Sequence, residues 1–548
     1  MAPTFDAIQK KSADFGVVTY GAAWLNRSVV LKGPASSLSS MVALPEVTHA
    51  SLNDGKPIEL ADQDKCYASL PGNTWGIDGQ SWRVGTRDSL LSINYSGDTG
   101  GRAGSRERVA VLDSGFAVRA HHAFRFAASS PPGDRFLVTK FCSSTSCTTT
   151  SDPGGLNHAN AVTHWAVGNV ESGRDPNCSW LMGDIRSGSR ASGAHILAYD
   201  VFSGCAAGRL GIQDAVAQGA DIVNMSVGYA QTVPCDSTYD CGGLNSAIRS
   251  ATDQGVLIVG GAGNKPWPGA CNVVYPNTRP EVLTVGGVNT QNRTTDFNST
   301  VLHGESSGGA MLIHMATGTW GYDTVVDLVG PYVVNFTGAT SPDWYANSAN
   351  TVFTGTSVAS PAVAGSAARV LDGFRSIGWP ENARTLRLNL LLMGDAADGA
   401  TQDRLFGASY TWGYGRPHVT VPAAGWAAGP SWWGQSPFTL QPGVTAYGCV
   451  NGCQPMPSSV RQYNWVLFYE DADLTWTPYV GIQIKDLDTG QVIRQDISHS
   501  QTKRIQLRDG EIWGRRLQLV VIPYQMWGSY TMYSGDFFHS DSAGWTYH

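Results

Sequence analysis

The stretch Thr354–Gly365, "TGTSVASPAVAG", sets a serine between a Gly-Thr pair and a run of small residues broken by Pro361. A hydroxyl in that setting is either a helix cap or a nucleophile. A cap needs neither Gly355, which lets a second backbone approach closely, nor the small face of Ala359, Ala362, Ala364 and Ala367, which suits a deeply buried helix. Pro361 is expected in the first helical turn, where N–H groups lack intrahelical partners. Ser357 therefore reads as a nucleophile at the start of a buried central helix.

A serine hydroxyl is a poor nucleophile until a base takes its proton, and an imidazole base needs a carboxylate to fix its tautomer. Asp113 closes the short apolar strand "RVAVLDSG"; alone, it would simply open an Asp-Ser-Gly turn. His158 follows "DPGGLN" at the start of the helix "NHANAVTHWAVGNV", where an isolated histidine would be a surface or capping residue. Taken together, Asp113, His158 and Ser357 supply orienting group, base and nucleophile. Asn264, delivered by the glycines of "VGGAGN" just after another apolar strand, offers an amide to a developing oxyanion, although Asn after Gly is also ordinary turn chemistry. The N-terminus of the Ser357 helix would add backbone N–H groups and a favourable dipole.

Around these residues strands and helices alternate from about residue 105 to 290. "HILAYDV", "ADIVNMSVG", "VLIVGGAGN" and "VLTVGGV" read as apolar strands, and "LGIQDAVAQG" and "GLNSAIRSATDQG" as helices. That pattern predicts an α/β fold, a doubly wound, mostly parallel sheet covered on both faces, with its site beyond the carboxyl ends of the strands. Residues 1–71 read as a small α/β unit, with "FGVVTYGA", "SVVLKG" and "EVTHASL" as strands and "ASSLSSMVAL" as a helix. Residues 72–420 form the central unit, and 421–548 an all-β unit, expected to be a sandwich, in which "NWVLFYED", "YVGIQIKDL", "RIQLRD" and "RLQLVVIPY" are strands.

The motifs resemble those of the subtilisin family of serine peptidases, and in particular its proteinase K-like branch. "VAVLDSGF" is similar to the family's Asp motif, "NHANAV" to its His motif, "NMSVG" to its substrate strand, "GGAGN" to its oxyanion Asn motif and "GTSVASPAVAG" to its Ser motif. The order Asp, His, Ser is also that of subtilisin. "NTWGIDGQSW" resembles the entry to the mature enzyme, and "LLLMGDAADG" with "WGYGRPHV" the end of the catalytic unit. The His motif departs from the family, with Ala159 and Asn160 where Gly and Thr are usual. A second register, through "THWAVG", would put Ala161 at the catalytic place and make the chain a peptide-binding protein without a base. His158 is preferred because it keeps the small-residue and valine pattern at Ala161 and Val162. His164, six residues further on, points about 240° away round the helix.

The resemblance implies an Asp113–His158–Ser357 triad with Asn264 in the oxyanion hole. It also implies a polypeptide substrate added as a strand beside Ser226, Val227 and Gly228, and a specificity pocket lined by Gly260 and Gly261, roomy enough for a large apolar or aromatic side chain. The N-terminal unit would act as an intramolecular inhibitor, removed by a cut ahead of Cys66. A ligase or transacylase working through the same acyl-enzyme shares every one of these residues. Calcium is common in the family, but no Asp-rich loop assigns a site, and the chemistry calls for no cofactor.

The 548-residue chain carries a formal charge of -7 with no basic runs, which argues against nucleic acid or an anionic membrane as partner. No apolar run approaches the roughly 20 residues of a membrane span, and "MAPTFDAIQKKSADF" lacks a secretory apolar region. Ten cysteines, an even number with close pairs at 142/147, 235/241 and 449/453, favour disulfides over metal and hence an extracellular location. The aromatic-rich C-terminal unit is expected to use most of its tryptophans in packing, with an exposed subset available to a glycan or protein surface.

Overall fold

The computed structural model describes residues 107–117, 133–150, 157–168, 194–231, 239–265, 271–289, 305–314, 320–337, 350–376, 382–395, 413–417, 434–458, 460–470 and 477–540. It also describes the short stretches 18–23, 28–32, 57–59, 61–62, 124–126, 235–236 and 301–302, and residue 119. The expected strand "EVTHASL" and helix "ASSLSSMVAL" lie outside these residues. What is described at the N-terminus is an antiparallel hairpin of β1 (Val18–Ala23) and β2 (Ser28–Lys32), followed by two short strands, β3 (Pro57–Glu59) and β4 (Ala61–Asp62).

The run "RVAVLD" forms β5 (Arg108–Asp113), buried at every residue but the first, as a strand covered on both faces must be. It lies at the middle of a nine-stranded sheet. On one side come β6 (Phe136–Cys142), its antiparallel partner β7 (Cys147–Thr149), and β8 (His195–Asp200); on the other, β9 (Ile222–Met225). A further strand, β10 (Val227–Tyr229), leaves this sheet. The sheet continues through β11 (Leu257–Gly261), β12 (Val282–Asn289) and β13 (Val301–Leu302), with β14 (Leu328–Pro331) parallel to β12. The spatial order is β13-β12-β11-β9-β5-β8-β6-β7. The chain fills one side of β5 before it fills the other, so strand order reverses there, and Asp113 sits at the carboxyl end of the strand where the two directions part.

Alternate residues of β5 feed two cores. Val109 joins the core containing α1 (Asn157–Val167), α4 (Thr356–Ser376) and α5 (Ala383–Leu392), whereas Ala110 and Leu112 face that of α2 (Cys205–Ala217) and α3 (Leu244–Asp253). The small residues of α4 serve the burial expected of them: Ala359, Ala362, Ala364 and Ala367 are inaccessible to solvent. Pro361 is placed differently from expectation. It is the sixth residue of α4, past the first turn, so its missing N–H would leave the Ser357 carbonyl without its usual intrahelical donor.

At the foot of β5, buried Glu107 accepts Arg375 Nη1 at 3.0 Å, and Arg375 Nη2 reaches Asp221 at 2.5 Å. Burial, and after it the Asp372 carboxylate, push the Glu107 carboxyl from an ordinary 4.5 up to about 8, against the pull of Arg375. With the folded value above the unfolded one, protonated Glu107 favours folding. That contribution is complete below about pH 4.5 and is lost as pH rises through about 8. Glu107→Gln, which stays neutral, is expected to gain stability relative to wild type as pH rises from about 5 to about 8.5. Thermal midpoints of both proteins across that range check this, and a constant difference contradicts it.

Four disulfides join described cysteines. Cys142–Cys147 and Cys449–Cys453 link neighbours in sequence, but Cys235 and Cys241 are not joined to each other. Cys241, just ahead of α3, bonds Cys205 at the start of α2, and Cys235 bonds Cys271. Cys66 and Cys178 lie outside the described residues.

The C-terminal residues form two four-stranded antiparallel sheets. One contains β15 (Gly434–Leu440), β17 (Val460–Phe468), β20 (Thr502–Arg508) and β22 (Tyr530–Ser540). The other contains β16 (Ala446–Cys449), β18 (Tyr479–Asp486), β19 (Val492–Asp496) and β21 (Leu517–Gln525). Their inward residues, among them Trp465, Ile482, Ile505 and Val521, share one core. Val466 and Phe468 on the other face of β17 instead join the core around α5, with the Arg387 guanidinium over the Phe468 ring at 5.3 Å. Asn464 Nδ2 donates to the Leu392 carbonyl at 2.9 Å, and Ser500 Oγ to Asp323 at 2.8 Å, two hydrogen bonds that cross this seam.

Candidate active site

Asp113 and His158, far apart in sequence, meet at the sheet's carboxyl edge. His158 Nδ1 donates to Asp113 Oδ1 at 2.5 Å, and both side chains are buried. The Ser114 N–H donates to the same oxygen at 2.6 Å, so the turn after β5 holds the carboxylate in place. With Nδ1 carrying the proton, Nε2 is the basic nitrogen. The His158 ring also meets Phe353 edge to face, at 5.6 Å between centroids, and Phe353 lies four residues before Ser357. His164 is buried elsewhere, its ring edge-on to Phe124 at 4.8 Å. Of the two candidate histidines, His158 is the one paired with Asp113.

Ser357 is the second residue of α4, following Gly355, whose φ of 143° favours glycine. Its Oγ is buried and makes no hydrogen bond among the described residues. Its carbonyl, left without an intrahelical donor by Pro361, accepts Ser226 Oγ at 2.9 Å, and Asn224 Nδ2 in turn donates to Ser226 Oγ at 2.8 Å. Ser226, expected only to line the substrate strand, therefore also completes the helix that carries Ser357. Ser226→Ala is expected to cost about 1–3 kcal/mol of stability, by leaving a buried carbonyl unsatisfied, and to lower kcat by displacing the first turn. Urea unfolding alongside kcat checks both effects; unchanged stability would show that another donor replaces the hydroxyl.

Asn264 is fixed by its carbonyl end. Oδ1 accepts the Thr356 N–H at 2.9 Å and Thr356 Oγ1 at 3.1 Å, while Thr356 Oγ1 accepts the Gly263 N–H at 2.9 Å. Nδ2, the donor an oxyanion requires, is thereby turned the opposite way. Thr356 was not singled out by sequence reasoning, although its place directly before the nucleophile was a signal. Gly260 and Gly261, expected to widen a pocket, are closely packed: a Cβ on Gly260 would fall 2.2 Å from Asn277 Oδ1, and one on Gly261 2.9 Å from the Thr356 carbonyl oxygen. Asn277, which donates to the Gly261 carbonyl at 2.6 Å, is a second residue the sequence did not indicate. Among the described residues no group of three or more His, Cys, Asp or Glu side chains could hold a metal ion.

Two short N-terminal strands flank Ser357. β3 runs antiparallel to β10, pairing Ile58 with Gly228 and Glu59 with Val227. β4 pairs with the end of the strand Asn350–Gly355, setting Ala61 against Gly355 and Asp62 against Thr354.

The profile of the subtilase family matches residues 104–413, more than half of the chain and the whole stretch from β5 through α5. The chain belongs to the subtilase family. Over 187 residues it is 30% identical to subtilisin DY of Bacillus licheniformis, covering 34% of this chain and 55% of that one. Over 280 residues it is 26% identical to subtilisin E of Bacillus subtilis (strain 168), covering 50% and 57%. Alkaline elastase YaB of Bacillus sp. (strain YaB) is 29% identical over 272 residues, covering 49% and 55%. The chain thus spans little more than half the length of these relatives. In this subtilase the matched region contains Asp113, His158, Asn264 and Ser357, and excludes the two C-terminal sheets.

Proposed function

We propose that this subtilase is a secreted serine endopeptidase, and the observation that carries the reading is the buried 2.5 Å hydrogen bond from His158 to Asp113, beside the segment bearing Ser357. Ser357 Oγ attacks the scissile carbonyl carbon while His158 Nε2 takes its proton. Asp113 keeps the imidazole in the right tautomer and stabilises the imidazolium. The oxyanion is held by Asn264 Nδ2 and by the Ser357 N–H, one of the N–H groups at the start of α4 that helix geometry leaves without an intrahelical acceptor. His158 then protonates the leaving amine, and water releases the acyl group by the same steps in reverse.

Substrate polypeptide adds as a strand against β10, with Ser226, Val227 and Gly228 supplying main-chain partners and Gly260 and Gly261 lying beneath the first pocket. β3 occupies that strand position in the precursor, which supports the N-terminal unit (residues 1–71) as an intramolecular inhibitor of the catalytic unit (72–420). The disulfides support an extracellular location, and no helix among the described residues is long and apolar enough to cross a membrane. Assignment to the proteinase K-like branch rests on sequence, chiefly "NTWGIDGQSW". The C-terminal pair of sheets, read as a β-sandwich over 421–548, exposes Tyr447, Tyr524 and Trp527, which support contact with a glycan or protein surface.

Labelling with a fluorophosphonate followed by peptide mapping tests the reading. Modification of Ser357 that is lost in His158→Ala is the expected result; absence of labelling in protein freed of its N-terminal segment would favour a binding protein on the same fold.

A further inference from the structure

A glycine widens a pocket only where no other side chain has taken the space it leaves. Gly228 lies in the middle of β10, and Gly263 directly precedes Asn264. A Cβ on Gly228 would fall 2.6 Å from Val274 Cγ2, and one on Gly263 2.9 Å from Val274 Cγ1. The two methyl groups of Val274 therefore stand where both missing side chains would be, one against β10 and one against the loop that carries Asn264. Asn277 does the same at Gly260, and its Nδ2 donates to the Gly261 carbonyl at 2.6 Å. Val274 is fixed in this place. Its N–H donates to the Ala262 carbonyl at 3.0 Å, and its carbonyl accepts the Asn277 N–H at 2.9 Å. The next residue, Tyr275, accepts the Tyr229 N–H at 2.7 Å. A β-branched side chain has few rotamers to choose from, and at 8% exposure this one has little open space to turn into.

We propose that Val274 sets the depth of the first pocket, and that this protein cleaves polypeptides after small residues, alanine and serine foremost, while rejecting phenylalanine, tyrosine and leucine at that place. The proposal rests on the serine-peptidase reading and deepens it by naming the substrate class. The residue ahead of the scissile bond has to enter between the two segments that Val274 touches: its backbone pairs with β10, and its carbonyl oxygen has to reach Asn264, next to Gly263. A methyl or hydroxymethyl group stops short of the Val274 methyls. An aromatic ring would have to displace a valine held by backbone hydrogen bonds in a close-packed interior. The glycines taken alone suggest the reverse, a roomy pocket, because they do not show which side chain fills the space beside them.

Wild type, Val274→Gly and Val274→Ala, each expressed as the full chain and freed of its N-terminal segment, are given two peptides that differ only in carrying Ala or Phe ahead of the scissile bond. kcat/KM is measured for both peptides on the same preparation, so that any loss of folded protein cancels in the ratio. The expected results are a preference for Ala on the order of 10²-fold in wild type and a shift toward Phe on the order of 10²-fold in Val274→Gly, with a smaller shift in Val274→Ala. Wild type that cleaves after Phe as fast as after Ala overturns the inference without recourse to any variant. So does a ratio that Val274→Gly leaves unmoved; if that variant does not fold, wild type and Val274→Ala decide. Each of these results leaves the peptidase reading in place as long as Ser357 reacts with fluorophosphonate. Failure of Ser357 to react overturns both.

Discussion

Ser357→Ala is expected to lower kcat toward peptide substrates by about 10⁶-fold, the size of effect known for subtilisin, a relative of this chain. His158→Ala should cost about as much, because nucleophile and base act as one unit and removing either disables both. The double variant should therefore be little worse than either single one. Asp113→Asn, which keeps the shape but reverses the favoured tautomer of His158, is expected to lose about 10⁴-fold. His164→Ala is the informative control. That ring is packed in the core against Phe124, so its removal should cost about 0.5–3 kcal/mol of stability while leaving kcat per reactive serine within a few-fold of wild type. Kinetics normalised by active-site titration check the set. Equal losses from His158→Ala and His164→Ala would mean that both act through folding and would remove the argument for a base at His158.

Asn264→Ala is expected to lower kcat by about 10²–10³-fold with little change in KM, the signature of a donor that meets the oxygen only when it becomes an oxyanion, as proposed for this amide; the magnitude is again that known for subtilisin. The hydrogen bonds to Thr356 give a companion prediction. Thr356→Val removes the hydroxyl that donates to Asn264 Oδ1 and accepts the Gly263 N–H, so the amide loses one of the two hydrogen bonds that tie it to Thr356. The expected result is a loss of roughly tenfold in kcat, with stability lower by about 1–3 kcal/mol for the buried Gly263 N–H left without an acceptor. Thr356→Ser, which restores the hydroxyl, should recover most of both. If Asn264→Ala and Thr356→Val combine additively in kcat, Thr356 does not act through Asn264, and its role is in folding alone.

The sequence around Ser357 was readable because its requirements are local. Gly355 must take a φ of 143°, and the face built from Ala359, Ala362 and Ala367 announces burial whatever surrounds it. Asp113 was legible for a similar reason: six residues of near-continuous apolar strand ending in an acid place that acid at a sheet edge. The histidine was harder, since "NHANAV" and "THWAVG" lie on one helix and both fit a family pattern. The distance to Asp113 separates them, and that distance depends on how α1 packs against the sheet.

Composition, strand-helix alternation and the motifs by themselves determined the α/β class, the place of the site and the residue types that could do its chemistry, because each is written in consecutive residues and in the periodicity they impose. Only the tertiary structure decided that the Ser226 hydroxyl serves the carbonyl freed by Pro361, that Thr356 grips Asn264, that Cys241 bonds Cys205, and that Pro57–Glu59 pairs with β10 while Ala61 pairs with Gly355. Those are pairings between segments remote along the chain. No local preference specifies them; they follow from where the packed sheet and helices bring hydroxyl, carbonyl, amide and thiol within bonding distance.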